Sequence, residues 1–284
     1  MGLKRIVAAA LFLLFGVAPA VLPATLPAPS LSSPPAGSPA PPSVSYRFES
    51  VTSGIGEQRI DGVVEADGPK MRINIAHGDG VTFPDRSFAL SSDGRRIVVC
   101  DPSAKTYYEM FADALIAEGN KVPSLLGVFD SITTTNAHYN IRDLGNGGTI
   151  AGYPTRRTAT SSSYDLHVTV IDHKVVVHVT VNSESWTTDK LPASLANFMQ
   201  LGSVRTGVQG IDRLLTADPR APRGFPLKTV TTLRIVQNEM PIEVTSTTNV
   251  SNIETKAFPA TEFAMPAGYR RVDSPFEKAV KALK

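Results

Sequence analysis

From Ser45 onward, apolar and polar residues alternate in short runs separated by turn signals, the period-2 pattern of strands that bury one face. Val44, Tyr46 and Phe48 alternate with Ser45, Arg47 and Glu49, and Met71, Ile73 and Ile75 alternate with Arg72, Asn74 and Ala76. Asp67-Gly68-Pro69 and Ser92-Asp93-Gly94 supply turns, the second just before a buried-type run at 97–100. Asp101-Pro102-Ser103 then turns the chain into a strand at 106–110. Runs at 230–236 and 242–248 predict a hairpin around Gln237-Asn238-Glu239, with 253–258 and 262–265 as closing strands. The glycines at 145–148 read as a turn between strands. Spacing of this kind predicts an antiparallel meander.

One hairpin, 166–181, predicts its own register. With Asp172-His173 as the turn, Leu166 faces Val179, Val168 faces Val177 and Val170 faces Val175, so one surface is wholly apolar. A one-residue slip would scatter that set over both faces. The other surface carries His167, Thr169, Val176, His178 and Thr180. This register opposes His167 and His178 with Cβ atoms about 5 Å apart. Such a pair can share zinc or copper, but the sequence identifies no third ligand. Two solvent-facing histidines is the plainer reading, and no metal or other cofactor is expected.

Helical spacing is confined to short stretches. Met110, Phe111, Ala114 and Leu115 form a stripe ending at Gly119-Asn120. Leu195, Phe198 and Met199 share a side of 192–201, and Val208, Ile211, Leu214 and Leu215 make a stripe closed by Asp218-Pro219. These predict short amphipathic helices laid on the sheet, not a layer of βαβ crossovers.

The N-terminus follows a different pattern. Lys4-Arg5 precedes a short apolar run at 6–17, too short for the roughly 20 residues that span a bilayer. Residues 1–20 therefore read as a signal peptide, which predicts a periplasmic or secreted protein. The single cysteine, Cys100, lies far from this run, so N-terminal lipidation is excluded. Residues 21–44 read as a Pro-rich linker, with nine of the chain's 22 prolines falling between Ala18 and Val44. Residues 45–272 then form the folded domain and 273–284 a tail.

Composition sharpens this division. Of 284 residues, 42% are hydrophobic and 19% charged, with a formal net charge of +2. Lys4 and Arg5 account for that excess, so the folded part is neutral. A neutral domain has no net attraction to nucleic acid. One cysteine excludes an internal disulfide framework. No Gly-x-Ser-x-Gly, phosphate-cradling glycine loop or His-Glu-x-x-His is present. The basic doublets Arg156-Arg157 and Arg270-Arg271 read as solvated turns and faces, with contact to anionic lipid headgroups or a membrane surface as the functional alternative. Catalytic residues are not expected, and neither is an enzyme.

Four patches carry a resemblance: Thr149-Ile150-Ala151-Gly152-Tyr153-Pro154, Ser185-Trp186-Thr187-Thr188-Asp189, Gly224-Phe225-Pro226-Leu227-Lys228 and Phe263-Ala264-Met265-Pro266-Ala267-Gly268-Tyr269. Their order and spacing resemble a family of secreted bacterial domains of unknown function. That family is similar in architecture to the outer-membrane lipoprotein carriers and their receptor, the half-barrel superfamily. The resemblance implies a mainly β fold with some α: a curved, incomplete antiparallel barrel with short helices covering its concave face. In the carriers that concavity holds acyl chains.

The expectation is therefore an envelope binding or carrier protein, monomeric, for a lipid or other long apolar ligand. Predicted lining residues are Phe48, Met71, Ile73, Val168, Val170, Val177, Leu195, Phe198, Met199, Leu233 and Ile235. The alternative is an envelope scaffold or regulatory module, in which a solid sheet recognises a protein partner.

Overall fold

The computed structural model describes residues 43–54, 56–79, 83–92, 96–111, 131–170, 173–192, 195, 224–237, 239–275 and 278. The signal, the linker through 42, the helical stretches 112–120 and 208–215, and Phe198 and Met199 lie outside the described residues.

Twelve strands form one sheet: β1 (Val44–Ser53), β2 (Gln58–Asp67), β3 (Lys70–His77), β4 (Phe88–Ser91), β5 (Arg96–Asp101), β6 (Thr106–Phe111), β7 (Ser131–Ile150), β8 (Tyr153–Val170), β9 (His173–Thr188), β10 (Phe225–Gln237), β11 (Met240–Thr255) and β12 (Arg270–Arg271). Their spatial order is β12-β6-β5-β4-β3-β2-β1-β11-β10-β9-β8-β7. Neighbouring strands run antiparallel, except that β12 lies parallel to β6. The sheet is open, with β7 and β12 at its edges, so it does not close into a barrel.

The alternation read from sequence sets the two faces. Val44, Tyr46 and Phe48 are buried in β1, as are Met71, Ile73 and Ile75 in β3. Together with Phe225, Leu227 and Val250 they belong to one apolar cluster on the inner face. β4 departs from alternation because both its faces are covered and all four residues are buried. Its outward Phe88 and Leu90 pack with Cys100 against Tyr269 from the C-terminal segment. The Tyr269 ring meets Phe88 edge-on at 6.1 Å, and the Arg72 guanidinium sits 4.3 Å above the same Phe88 ring.

The predicted hairpin forms, with its register displaced. Leu166 pairs with Val177, Val168 with Val175 and Val170 with His173, so His173 lies in the strand. A two-residue shift leaves every side chain on its original face, so local alternation cannot detect it. The long remainder of the ladder, down to Arg156 opposite Thr187, decides the pairing.

Other local expectations change for identifiable reasons. Residues 145–148 lie within β7, where bulges at Asp143/Gly145 and Asn146/Gly148 absorb the glycines. The actual β7–β8 turn uses Ala151 and Gly152, at φ 49° and 83°. Met110 and Phe111 end β6 and do not begin a helix. The predicted strand 262–265 is instead a 3-10 turn, Ala260–Phe263, started by Pro259 at φ −66°. Among the described residues helix is confined to that turn, which packs near β3, and to single residues at Leu195, Pro275 and Lys278, so helices over the inner face are not supported.

Candidate functional site

The middle of the inner face is lined by hydroxyl groups. Thr158, Ser185, Thr229, Thr248 and Ser50 stand opposite one another across β8, β9, β10, β11 and β1. One step along the strands, Thr160, Ser183, Thr231, Ser246 and Thr52 form a second such row. At about 4.8 Å between strands and about 6.7 Å between rows, the belt spans roughly 19 by 7 Å. Thr158, Thr160, Ser183, Ser185, Thr231 and Ser246 are buried, so their hydroxyls need partners.

Several find them within the belt. Ser183 Oγ and Thr231 Oγ1 are 2.9 Å apart. Thr248 Oγ1 donates to Ser50 Oγ at 3.1 Å, and Thr52 Oγ1 donates to Ser246 Oγ at 3.2 Å. Thr229 is the exception. It is 2% exposed, at the centre of its row, and its Oγ1 has no hydrogen-bond partner. An orphaned buried hydroxyl costs about 1–3 kcal/mol.

Apolar residues flank the belt along the strands. On one side Phe48 pairs with Val250, near Leu227, Phe225 and Tyr46. The Tyr46 and Phe225 rings meet edge-on at 5.2 Å. On the other side Tyr164, Val179 and Ile235 form a cross-strand row, with Leu166 opposite Val177 and Leu233 opposite Val181. The predicted lining residues therefore divide. Phe48, Met71, Ile73 and Leu195 share the first zone, packed at 0–3% exposure. Val177, Leu233 and Ile235 belong to the second, and in the β8 ladder Val168 pairs with Val175 and Val170 with His173.

The belt was not anticipated. Its signal is Ser or Thr at every second position of β8 to β11, but outward positions such as Ser161, Ser163, Thr232 and Thr245 carry hydroxyls too. Without a polarity contrast, alternation does not say which set faces inward.

Most of the charge lies on the opposite face. His178 faces Asp165, not His167, and its Nδ1 is 2.7 Å from Asp165 Oδ1. Asn136 Nδ2 donates to Asp165 Oδ2 at 2.6 Å, while His167 Nε2 lies 2.7 Å from Thr135 Oγ1. The hydrogen bonds from His178 and Asn136 hold the Asp165 carboxyl below its usual range. The predicted histidine pair is thus replaced by two separate contacts. Among the described residues no three His, Cys, Asp or Glu side chains converge to hold a metal ion.

Two further outward networks organise the sheet. Asp61, 1% exposed, meets His77 Nδ1 at 2.8 Å, Arg59 Nε at 3.2 Å and Arg47 at 3.3 Å. Burial raises its pKa, but these three partners overcome that and hold it low. Trp186 lies between Arg157 and Lys228, each cation 5.0 Å from the ring centroid. Arg157 also pairs with Glu184 at 3.0 Å. Arg156 and Asp143 pair with each other on the belt's own face at its β7–β8 end, where Asp143 stands opposite Thr158 and Arg156 opposite Thr187.

A family described as a domain of unknown function (DUF4412) matches residues 71–269. No curated protein matches the chain. A LolA superfamily protein from Nitrosomonas europaea is similar in structure, at 14% identity, 80% coverage of this chain, 92% of the other and a TM-score of 0.30. A putative outer membrane lipoprotein-sorting protein domain from Vibrio parahaemolyticus has 8% identity, with 78% and 89% coverage and a TM-score of 0.29. A DUF1329 family protein from Desulfovibrio piger has 8% identity, 79% and 90% coverage and a TM-score of 0.29. TM-scores this low carry no argument about function.

Proposed function

The chain belongs to the DUF4412 family, and on that premise we propose that it is an envelope binding or carrier protein for a lipid or other long apolar ligand held against the inner face of its sheet. One observation carries this reading. Apart from Arg156 at the β7–β8 end, which is paired with Asp143, the inward positions of β1, β8, β9, β10 and β11 described above are apolar or hydroxyl-bearing, while Glu49, Asp165, Glu184, Lys228 and Arg234 take the outward positions. A face whose centre carries no charged side chain suits burial of acyl chain, which contributes about 0.8 kcal/mol per methylene. The signal-like residues 1–17 and the Pro-rich stretch after them support export to the periplasm or beyond. No helix among the described residues is long and apolar enough to cross a membrane. The proposal includes no catalytic step.

Titration with a fluorescent fatty-acid probe tests this reading. Saturable binding that an unlabelled lipid displaces supports it, and no saturable binding sinks it.

A scaffold reading draws on the first apolar zone. Tyr46 and Leu195 are both 0% exposed, and the Tyr46 hydroxyl bonds to the Leu195 carbonyl, as in a solid core. On that account the same sheet presents its outer face to an envelope protein. Probe binding separates the two readings.

A further inference from the structure

We infer that the hydroxyl belt is a binding site for a neutral polar linkage, an ester, amide or free hydroxyl, lying between two apolar arms of an amphipathic lipid. The inference rests on the carrier reading and deepens it by naming the ligand's polar chemistry.

Three features lead there. The first is placement: the two hydroxyl rows separate the zone of Phe48, Leu227 and Val250 from that of Tyr164, Val179 and Ile235 on one face. A ligand lying along β10 or β11 therefore meets apolar, then hydroxyl, then apolar surface. The belt is about 7 Å deep along that path, the dimension of one linkage and not of a polar chain.

The second is the missing charge. A buried phosphate or carboxylate needs a cation or several strong donors beside it. The two belt rows offer Ser and Thr hydroxyls, each one donor and two acceptors, and the charges at their β7–β8 end, Arg156 and Asp143, are paired with each other. That inventory suits carbonyl, ester and hydroxyl groups, and it disfavours anions.

The third is Thr229. Elsewhere in the belt Ser183 and Thr231 satisfy each other, and Thr248 donates to Ser50. The Thr229 Oγ1 has no partner at 2% exposure. A ligand carbonyl at the centre of the belt would accept that free O–H.

The test compares two pyrene-labelled probes of matched chain length, a diacylglycerol and a plain alkane. Wild-type protein should bind the ester-bearing probe at least about fivefold more tightly, the equivalent of one hydrogen bond of about 1 kcal/mol. Thr229→Val, nearly isosteric and suited to a strand, should reduce that preference about fivefold. Ser183→Ala serves as a second variant should the first fail to fold. Thr232→Val, on the outer face opposite Thr245, should leave that preference unchanged. Equal wild-type affinity for both probes, or a preference untouched by Thr229→Val and Ser183→Ala, overturns the inference while the carrier reading stands. No binding of either probe overturns both.

Discussion

The hydroxyl of Tyr46 donates to the carbonyl oxygen of Leu195 at 2.8 Å, joining β1 to a point 149 residues further along the chain. Tyr46 is fully buried, and that burial drives its phenol pKa well above the ordinary value, so it remains a donor at any physiological pH. Its ring also meets Phe225 edge-on. One side chain thus joins the start of the sheet, β10 and the segment at Leu195.

Replacing Tyr46 with Phe keeps the ring contact and removes the donor. The Leu195 carbonyl loses that bond, at a cost of about 1–2 kcal/mol. For a domain of this size the melting temperature should fall by about 2–8 °C. An unchanged melting temperature would show that the contact contributes nothing.

Asp61 predicts a pH dependence. Its pKa is lowered on folding, so its contribution is fully present above the unfolded carboxylate pKa and is lost as pH falls through the folded one. Asp61→Asn should cost about 2 kcal/mol at pH 7, since its partners Arg47, Arg59 and His77 are mostly exposed and stay hydrated without it. Denaturant unfolding at pH 7 and pH 3 should show the gap to wild type closing in acid. A gap that is constant or wider at pH 3 contradicts the assignment.

Cys100 should be inert in the folded protein. Burial pushes its thiol up to about 11, and its sulfur lies 3.6 Å from that of Met265 beneath the C-terminal segment. At pH 8 only about one thiol in a thousand would be ionised, against roughly one in four for free cysteine. An aromatic disulfide reagent should label it slowly in native protein and rapidly in denaturant. Comparable rates in both would place the thiol at the surface.

Gly224 is a position that tolerates no side chain. Its φ is 117°, and an added Cβ would stand 2.4 Å from the Thr188 carbonyl oxygen. Gly224→Ala should therefore destabilise the β9–β10 junction by about 2 kcal/mol or more. Gly152, at φ 83° with open space around it, should accept Asn at much smaller cost. Similar losses at both sites would refute the steric argument.

The legible parts of the chain were those with a polarity contrast between alternate residues. β1 and β3 alternate Val, Tyr, Phe, Met and Ile with polar residues, and their inward sets follow from that alone. The β8–β9 register escaped because a two-residue shift preserves every face, and only the full ladder distinguishes it. The hydroxyl belt escaped because Thr and Ser occupy both faces of β8, β10 and β11, leaving no contrast to read. The cover over β4 escaped for another reason: it comes from residues far along the chain, at Met265 and Tyr269. The four resembling patches turn out to be structural. Ala151 and Gly152 turn β7 into β8, Gly224 avoids Thr188, Phe225 fills the core, Trp186 stacks outside and Tyr269 closes over Phe88.

The central claim is that the inner face holds a lipid, and protein purified from its own envelope tests it most directly. Native mass spectrometry followed by organic extraction should reveal a discrete adduct, recovered in repeated preparations as a neutral, ester- or amide-bearing lipid. Repeated recovery of the bare polypeptide mass, with no lipid in the extract, would contradict the account.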